Sequence, residues 1–370
     1  MIKSNNKKLF FITGSRAEFG LFEYFLNKLS KQKNINFSLI VTGSFLEKGF
    51  EKDLQDVIKS KLKITKKIKL GFKSKNIFEK TPQDISLGIK KFTLFFKKNR
   101  PDYVMIPCDR YEMLGPAFAA FFLKIPIIHF YGGDTTIGSF DNIIRDQISL
   151  MSKYHFVSNK QHANKILNLG IKKNKIFIIG SLGLDKIKNE KFLKKNKIKN
   201  VFKNFFLRKT ALVTFHPVTN GNTKLEFKNL IKALDKTKNL NVLFTGPNND
   251  PENQIIISQI EFLIKKDPNK YFYCRHLGRN LYFSFVKNVD FNIGNSSSLL
   301  HEVPTLKKIS INIGYRQKKR VSGTSVIHVK ARSSSISKIL NSKKKLKLAF
   351  YNPYFKKNSV QNTIKIVKNF

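Results

Sequence analysis

The chain of 370 residues is long enough for two domains with separate cores, and its 41% hydrophobic and 25% charged residues are typical of a globular protein. This composition excludes an intrinsically disordered chain. The formal net charge of +46 comes mostly from lysines spread over every segment. No recognition helix, zinc knuckle or aromatic stripe accompanies these lysines, so a solvated surface is favoured over a nucleic-acid partner.

Targeting and redox features indicate a cytoplasmic protein with no membrane partner. No apolar run approaches the length that spans a bilayer, and the apolar segment near the N-terminus continues into a turn instead of a signal peptide. The two cysteines, Cys108 and Cys274, lack CxxC spacing and are expected to be small buried residues in a reducing compartment.

The first half of the chain alternates predicted strands and helices. A strand at Leu9–Thr13 leads into a turn at Gly14–Gly20 and a helix at Leu21–Ser30, which is how α/β nucleotide-binding domains begin. The turn lacks the GxGxxG pattern, so a dinucleotide cofactor is disfavoured. Arg16 in this turn suits either a phosphate contact or a surface ion pair. Further elements are predicted at residues 38–42, 52–60, 64–68 and 87–99.

Three charged residues, Asp109, Arg110 and Glu112, follow the predicted strand Tyr103–Pro107. Open parallel sheets bind ligands at the carboxyl ends of their strands, so this position favours a functional role over a packing role. The alternative is a helix N-cap with a compensating ion pair.

A glycine-rich loop, Tyr131–Gly138, follows the next predicted strand, Pro126–Phe130. The helix after this loop carries three charged residues, Asp141, Arg145 and Asp146, of which the first two lie one turn apart on one face. A lone histidine such as His129 is usually a core residue, but its place beside the loop favours the site.

The composition changes after residue 185, where a lysine-rich, helical stretch extends to about Phe206. Strands at 154–158 and 176–179 precede this boundary. Strands at 211–215, 241–245 and 271–274 and a helix at 279–286 follow it. We therefore predict two doubly wound Rossmann-like α/β domains, residues 1–185 and 186–370, facing a shared cleft. The basic tail after Ser342 is expected to be helical and is a candidate to pack back on the first domain.

The most informative stretch lies at 289–316. A strand at Val289–Ile293 ends at Gly294, and the polar residues 295–298 lead into a helix that starts near Leu299. Free N–H groups and the dipole of a helix N-terminus favour an anion there. A second strand, Ser310–Ile313, is followed closely by Arg316, which adds a cation at the same sheet edge. The alternative is a serine-rich N-cap on an ordinary helix.

These motifs together resemble the hydrolysing UDP-N-acetylglucosamine 2-epimerases of sialic-acid biosynthesis and their relatives that act on diacetamido sugars. TGSRAEFG, DRYE, HFYGGDTTIGSFDNIIRDQISLMSKYHF, TFHPVT, GNSSS followed by Glu302, and NIGYRQKKR appear in the family's order and run nearly end to end. The resemblance implies the two-domain fold of one large (GT-B) glycosyltransferase class, with the nucleotide held mainly by the C-terminal domain.

The resemblance also implies binding roles. Ser296 and Ser297 would bind the diphosphate, and Glu302 the ribose hydroxyls. The other expected contacts to phosphate, uridine or sugar come from both halves: Arg16, Arg110, Asp134, Arg145, His216, Asn248 and Arg316. The implied reaction is elimination of UDP followed by hydration with inversion at C2. It needs no metal or redox cofactor.

Proton-transfer positions match the family less closely than nucleotide-binding positions. Asp134 stands where the family usually has glutamate, and Tyr131 stands where it has an acid or a histidine. Asn142 replaces the second of two paired acids, and Asp146 replaces a histidine. The expected catalytic residues are Asp109, Asp141 and Asp146, with His129 and Tyr131 as helpers.

Two rivals to a 2-epimerase remain open at this point. A glycosyltransferase on the same architecture would use the same anion cradle but would need an acceptor. A nucleotide-sugar-binding protein without catalysis would explain the altered acids. In each case the expected small-molecule partner is a UDP-sugar, and a homo-oligomer, dimer or tetramer, is expected.

Overall fold

The computed structural model describes residues 6–71, 77–135, 140–218, 221–248, 252–342 and 350–370. Within these residues the chain separates into two compact units, one formed by 6–135, 140–186 and 354–370 and the other by 187–353. Each unit is built on one parallel β-sheet flanked by helices, which confirms the predicted doubly wound α/β architecture.

The first unit is built on seven parallel strands: β1 (Lys7–Thr13), β2 (Ile35–Val41), β3 (Ile64–Lys67), β4 (Tyr103–Pro107), β5 (Ile127–Phe130), β6 (Tyr154–Val157) and β7 (Ile176–Ile178). Their order is β3-β2-β1-β4-β5-β6-β7, so the direction of winding reverses between β1 and β4. Ligands of open α/β sheets bind at the carboxyl ends of the strands beside such a reversal.

Helices connect these strands: α1 (Arg16–Leu29), α2 (Glu51–Lys59), α3 (Ile77–Lys98), α4 (Leu114–Phe122), α5 (Asp141–Met151), α6 (Lys160–Asn168) and α7 (Leu182–Asn189). Alternate residues of β1 enter two different clusters, because successive side chains of a strand point to opposite faces. Leu9 and Phe11 pack with α1, while Phe10 and Ile12 pack with α3 and α4. The sheet is therefore covered on both faces, and each fully buried phenylalanine contributes roughly 1.5–3 kcal/mol.

The second unit contains β8 (Lys209–Thr214), β9 (Leu240–Thr245), β10 (Tyr271–Cys274), β11 (Phe291–Gly294), β12 (Ser310–Ile313) and β13 (Val326–Val329). The strand order is β10-β9-β8-β11-β12-β13, and the reversal lies between β8 and β11. Its helices are α8 (Lys195–Ile198), α9 (Thr223–Lys236), α10 (Asn253–Lys266), α11 (Arg279–Asn288), α12 (Ser298–Thr305) and α13 (Ser333–Leu340).

The C-terminal helix α14 (Ser359–Lys368) belongs to the first unit. The carboxylate of Asp185 accepts hydrogen bonds from Ser359 Oγ at 3.1 Å and Val360 N at 2.8 Å, which caps the start of the helix. The last residue, Phe370, stacks on Tyr154 with ring centroids 3.9 Å apart. A cap at one end and a stacked ring at the other therefore fix the helix on this unit.

Several elements differ from the sequence-based predictions. Helix α1 begins at Arg16 instead of Leu21, so the predicted turn 14–20 is short and Arg16 lies on the helix. Helix α3 begins ten residues earlier than predicted and contains Pro82. The stretch up to Phe206 is not one helix but α7, α8 and a short 3-10 turn. Strand β13 was not predicted.

Some predicted features fall outside the described residues, namely loop positions 136–138, Thr219, residues 249–250 and the basic run 343–345. Cys108 and Cys274 are free and half-buried instead of buried. No helix in the described part of the chain is long and apolar enough to cross a membrane.

Candidate active site

Two residues at the carboxyl edge of the first sheet have a left-handed backbone conformation. Cys108, directly after β4, has φ 57°, and Tyr131, directly after β5, has φ 63°. Neither is glycine, so each conformation is held by its surroundings. Hydrogen bonds from Cys108 N to Phe130 O at 2.9 Å and from Tyr131 N to Phe156 O at 2.7 Å extend the sheet pairing past the strand ends. The loops that carry Asp109 and Asp134 therefore leave the sheet at fixed angles.

Arg145 joins these loops. It is 1% exposed on α5, and its Nη2 forms an ion pair with Asp109 Oδ2. Its Nη1 donates to the carbonyl oxygen of Asp134 at 2.7 Å and to Asn142 Oδ1 at 3.1 Å. A buried guanidinium needs several acceptors, and its planar donor set fixes their relative positions. The helix α5 thus ties together the segments after β4 and β5, which contain Asp109 and Asp134.

A second group on α6 holds the side chain of Asp134. His162 Nε2 lies 3.5 Å from Asp134 Oδ1, and His162 Nδ1 lies 2.9 Å from Ser158 Oγ. Lys165 Nζ donates to the Asp134 carbonyl oxygen at 3.0 Å and lies 3.8 Å from Asp146 Oδ1. A Cβ on Gly133 would overlap the carbonyl oxygen of His162, so only glycine lets the loop pack on this helix.

The sequence reading did not identify His162, Ser158 or Lys165. A local signal was present, because Asn159 caps α6 by accepting a hydrogen bond from His162 N at 3.0 Å. Such a cap directly after a strand places His162 in the first turn of a helix at the sheet edge. It does not reveal the contact to Asp134, which lies 28 positions away in the chain.

His129 and Tyr131, the expected catalytic helpers, have partners in the protein interior. His129 Nε2 donates to Cys108 O at 2.8 Å, and its Nδ1 accepts from Ser149 Oγ at 2.9 Å. Burial lowers the pKa of His129 to about 3, so the ring is neutral. The hydroxyl oxygen of Tyr131 accepts from Leu182 N at 2.8 Å, and burial raises the pKa of this phenol. These contacts brace the two left-handed segments.

Two arginines of the first unit are more exposed. Arg16 pairs with Asp53 at 3.5 Å and Asp56 at 2.8 Å, both on α2. Arg110 donates from Nε to Glu112 Oε1 at 2.7 Å, and its side chain is 43% exposed. Asp141, the remaining acid candidate, is the first residue of α5 and is half-buried.

The anion cradle of the second unit is built around Gly294 and Asn295. Gly294 has φ 145°, and a Cβ there would overlap the Thr214 carbonyl oxygen, so this position requires glycine. Asn295 is fully buried, accepts from His216 N at 2.7 Å and donates to His216 O at 2.8 Å. The carboxyl ends of β8 and β11 are thereby joined, and Ser296 and Ser297 stand at the entrance to α12.

His216 is a neutral donor in this cradle. Its Nδ1 accepts from Asn248 N at 3.1 Å, so Nε2 carries the ring hydrogen. Burial, with the nearby charge of Arg316, lowers the pKa of His216 to about 3. Arg316 Nη1 lies 3.4 Å from Asn295 O, which also accepts from Gln317 Nε2 at 2.8 Å.

Glu302, the expected ribose contact, lies on α12 one turn after the cradle. Burial raises the pKa of Glu302, and the charge of Arg279 opposes that rise. The adjacent Tyr282 hydroxyl lies 2.8 Å from Ser298 Oγ. The second unit therefore presents a helix N-terminus, serine hydroxyls, a neutral imidazole N–H and a guanidinium around one sheet edge, which is a donor set suited to a diphosphate.

Among the described residues no group of three or more His, Cys, Asp or Glu has a geometry that holds a metal ion.

This chain is similar to known sugar-nucleotide 2-epimerases. The family model described as UDP-N-acetylglucosamine 2-epimerase matches residues 27–368. The chain is 35% identical to a Campylobacter jejuni protein named GDP/UDP-N,N'-diacetylbacillosamine 2-epimerase (hydrolyzing), over 87% of this chain and 84% of that protein. It is 32% identical to the polysialic acid biosynthesis protein P7 of Escherichia coli, over 98% and 94%.

A solved structure shares the fold. The UDP-GlcNAc 2-epimerase of Neisseria meningitidis, determined with UDP-GlcNAc bound, superposes with a TM-score of 0.83 at 16% identity, covering 98% of this chain and 100% of that one. With the family model matched over most of its length, this chain belongs to the UDP-N-acetylglucosamine 2-epimerase family.

Proposed function

We propose that this protein is a hydrolysing 2-epimerase. It converts a UDP-N-acetylglucosamine-type sugar nucleotide to UDP and a free N-acetylmannosamine-type sugar, which supplies the synthesis of nonulosonic, sialic-like acids. The observation that carries the proposal is the set of acids that Arg145 and His162 hold at the edge of the first sheet. The names of the Campylobacter relative and of a Legionella pneumophila protein, 30% identical over 87% of this chain, support hydrolysis.

The proposed elimination needs a base for the hydrogen at C2 and donors for the departing diphosphate. Asp109 is our candidate base, because the buried guanidinium of Arg145 holds its carboxylate in a single position. Asp134, Asp141 and Asp146 are the candidates for the second proton transfer, in which water adds to the unsaturated sugar. We assign His129 and Tyr131 to supporting these loops, since both rings bind buried partners.

The donors for UDP come from the second unit. Ser296 and Ser297, at the N-terminus of α12, and the Nε2–H of His216 would hold the diphosphate oxygens, and Arg316 would balance their charge. A neutral His216 suits this task because it donates without a change of protonation as the leaving group develops charge. Glu302 would accept from the ribose hydroxyls, and Asn248 would contact the nucleotide.

We also propose a homo-oligomer in the cytoplasm. Helices α4 and α5 share one buried cluster but leave four large apolar side chains exposed: Phe121, Phe122, Ile143 and Leu150. An exposed apolar surface of this kind usually contacts another protein. The two free cysteines are typical of a reducing compartment.

The test is turnover of two substrates in D₂O followed by proton NMR. UDP-N-acetylglucosamine and its 2,4-diacetamido-6-deoxy analogue are incubated separately with the purified chain. Release of UDP together with a free manno-configured sugar deuterated at C2 is expected for one of them. A UDP-linked epimer would indicate a non-hydrolysing enzyme. UDP binding without turnover of either sugar would indicate a binding protein, or a transferase that needs an acceptor.

A further inference from the structure

Two buried glutamates lie beside the reversal between β1 and β4, outside the set of acids assigned to catalysis. Glu18 on α1 is 4% exposed, and Glu112, in the short turn after β4, is 1% exposed. Acidic side chains are rarely buried to this extent without a defined task. Neither residue has a role in the proposed reaction so far.

Each glutamate has one satisfied and one unsatisfied oxygen. Glu18 Oε1 accepts from Thr13 Oγ1 at 2.8 Å and Gly14 N at 3.1 Å, while Glu112 Oε1 accepts from Arg110 Nε at 2.7 Å. The two Oε2 atoms are buried and have no hydrogen-bond partner among the described residues. Buried polar atoms of this kind call for an explanation.

Both carboxyl groups lie against the same backbone. Gly14 donates to Glu18, and a Cβ on Gly14 would stand 3.0 Å from Glu112 Cγ. A Cβ on Gly43, after β2, would stand 2.8 Å from Glu112 Oε1. The strand ends of β1 and β2 therefore leave space for Glu112 only because both positions are glycine.

The charges around the pair do not balance if both acids are ionised. Arg110 contacts Glu112, whereas the groups that donate to Glu18, Thr13 Oγ1 and Gly14 N, are uncharged, as is the nearby Cys108 thiol. Burial raises the pKa of Glu18 to about 8. The Thr13 and Gly14 hydrogen bonds and the charge of Arg110 oppose the rise, and the charge of Glu112 adds to it. Burial of Glu18 beside a second acidic side chain therefore favours its protonated form.

We propose that Glu112 is a positioning residue for Arg110 and that its buried neighbour Glu18 carries a proton. The proposal rests on the function proposed above and on the contact to the substrate that the family resemblance implies for Arg110. Glu112 binds the Nε of Arg110, and the two Nη groups make no hydrogen bond to any described residue. A guanidinium anchored at Nε presents its remaining donors as a preformed fork for an anionic oxygen.

The same substitution at the two glutamates separates the roles. Glu112→Gln removes the charge that fixes Arg110, so we expect KM for the UDP-sugar to rise about ten-fold or more while kcat changes less. Glu18→Gln imitates the protonated acid, so KM should stay within about two-fold of the parent value. Circular dichroism and thermal melting of both variants check that they fold. Equal effects of the two variants on KM, or none at Glu112, would overturn the positioning role.

Infrared difference spectroscopy tests the proton itself, without any turnover. The parent protein at neutral pH should show the carbonyl stretch of a protonated carboxyl group that Glu18→Gln lacks, and its absence would overturn the assignment of the proton. This readout also separates the two proposals. If the parent turns over neither sugar, the proposed function fails while the infrared band still decides whether the pair is protonated. If the parent is active and KM is insensitive to Glu112→Gln, only the positioning role fails.

Discussion

Arg145 is the residue on which the arrangement of acids in the first unit depends. It is buried and holds the Asp109 carboxylate, the Asp134 carbonyl oxygen and the Asn142 side chain at once. Removing one partner of a buried ion pair leaves the other charge unpaired, which costs more than the pair contributes.

We predict that Arg145→Gln lowers the free energy of unfolding by about 3–5 kcal/mol and kcat by about 100-fold or more. The loss of stability follows from the unpaired Asp109, and the loss of activity from its displacement. Urea unfolding and steady-state kinetics measure the two effects. The double variant Arg145→Gln with Asp109→Asn should recover stability without recovering activity. Recovery of both, or of neither, would contradict this account of Arg145.

Among single residues, the sequence indicated charged residues after β4 and β5 and on α5, but it did not identify those on α6. Asp109 and Arg110 follow β4 closely, and the rule that ligands bind at the carboxyl ends of strands singled them out, whereas Asp134 was singled out by its glycine-rich loop and by the family resemblance. His162 contacts Asp134 through the packing of a loop on α6. No periodicity in the chain relates the two positions, so only the folded structure brings them together.

Among the elements of the second unit, strands β8 and β11 can form the anion cradle only because one residue of β11 is glycine. Gly294 ends β11 at φ 145°, with its α-carbon against the Thr214 carbonyl on β8. Alanine at this position would force the two strands apart just before α12. The sequence therefore predicted the order of strand, glycine and helix correctly. It did not show that β8 is the neighbouring strand whose carbonyl group makes glycine necessary.

We predict that Gly294→Ala destabilises the protein by about 3 kcal/mol or more and abolishes UDP binding. Gly20→Ala is the matched control, since Gly20 lies within α1 and a Cβ there meets nothing within 4 Å. This control should be neutral or stabilising by about 0.5–1 kcal/mol. Thermal unfolding and calorimetric titration with UDP measure both. UDP affinity in Gly294→Ala equal to that of the parent would rule out the cradle as the binding element.

Stability should also depend on pH through the β1–α1 connection. Because burial raises the pKa of Glu18 from 4.5 to about 8, the folded state retains a proton that the unfolded state loses. The unfolding free energy should therefore fall, by up to a few kcal/mol, as the pH rises from about 4.5 to about 8. Urea unfolding across this range should show a shallower fall for Glu18→Gln. Identical pH dependence in parent and variant would contradict burial of a protonated Glu18.

Boundaries of elements were predicted less well than their existence. The helix α3 was predicted to start at Leu87, ten residues later than it does. Pro82 instead is the sixth residue of the 22-residue helix, and the helix continues through it although its missing N–H removes one intrahelical hydrogen bond. Strand β13 is short and follows a basic loop, and nothing in its own pattern separates it from that loop.

Across the whole molecule, two doubly wound units divide the proposed tasks, with acids on the first sheet and diphosphate donors on the second. The alternation of strands and helices was sufficient to predict this class, because buried parallel strands appear as continuous apolar runs. Which substituents the protein accepts at C4 and C6 of the sugar depends on the side chains around those carbons. No strand or helix pattern in the sequence identifies these side chains.

The exposed apolar residues of α4 and α5 predict the behaviour of the molecule in solution. Phe122→Glu should convert a dimer or tetramer to the monomer, because it places a charge among the exposed apolar side chains of α4 and α5 that the proposed contact would bury. Leu207→Glu is the matched control, since both side chains are 75% exposed but Leu207 lies in the second unit. Analytical ultracentrifugation measures the mass. A monomeric parent, or no change in Phe122→Glu, would contradict the proposed contact.

The most direct test of the central claim is the proton NMR time course in D₂O with each of the two UDP-sugars. The account predicts that one of them yields free UDP and a manno-configured sugar that carries deuterium at C2, and that Asp109→Asn abolishes this product while retaining UDP binding. Deuterium at C2 requires that the hydrogen there was removed and replaced from solvent. A sugar that remains attached to UDP, or a released sugar that keeps its original hydrogen at C2, would contradict the hydrolysing 2-epimerase mechanism.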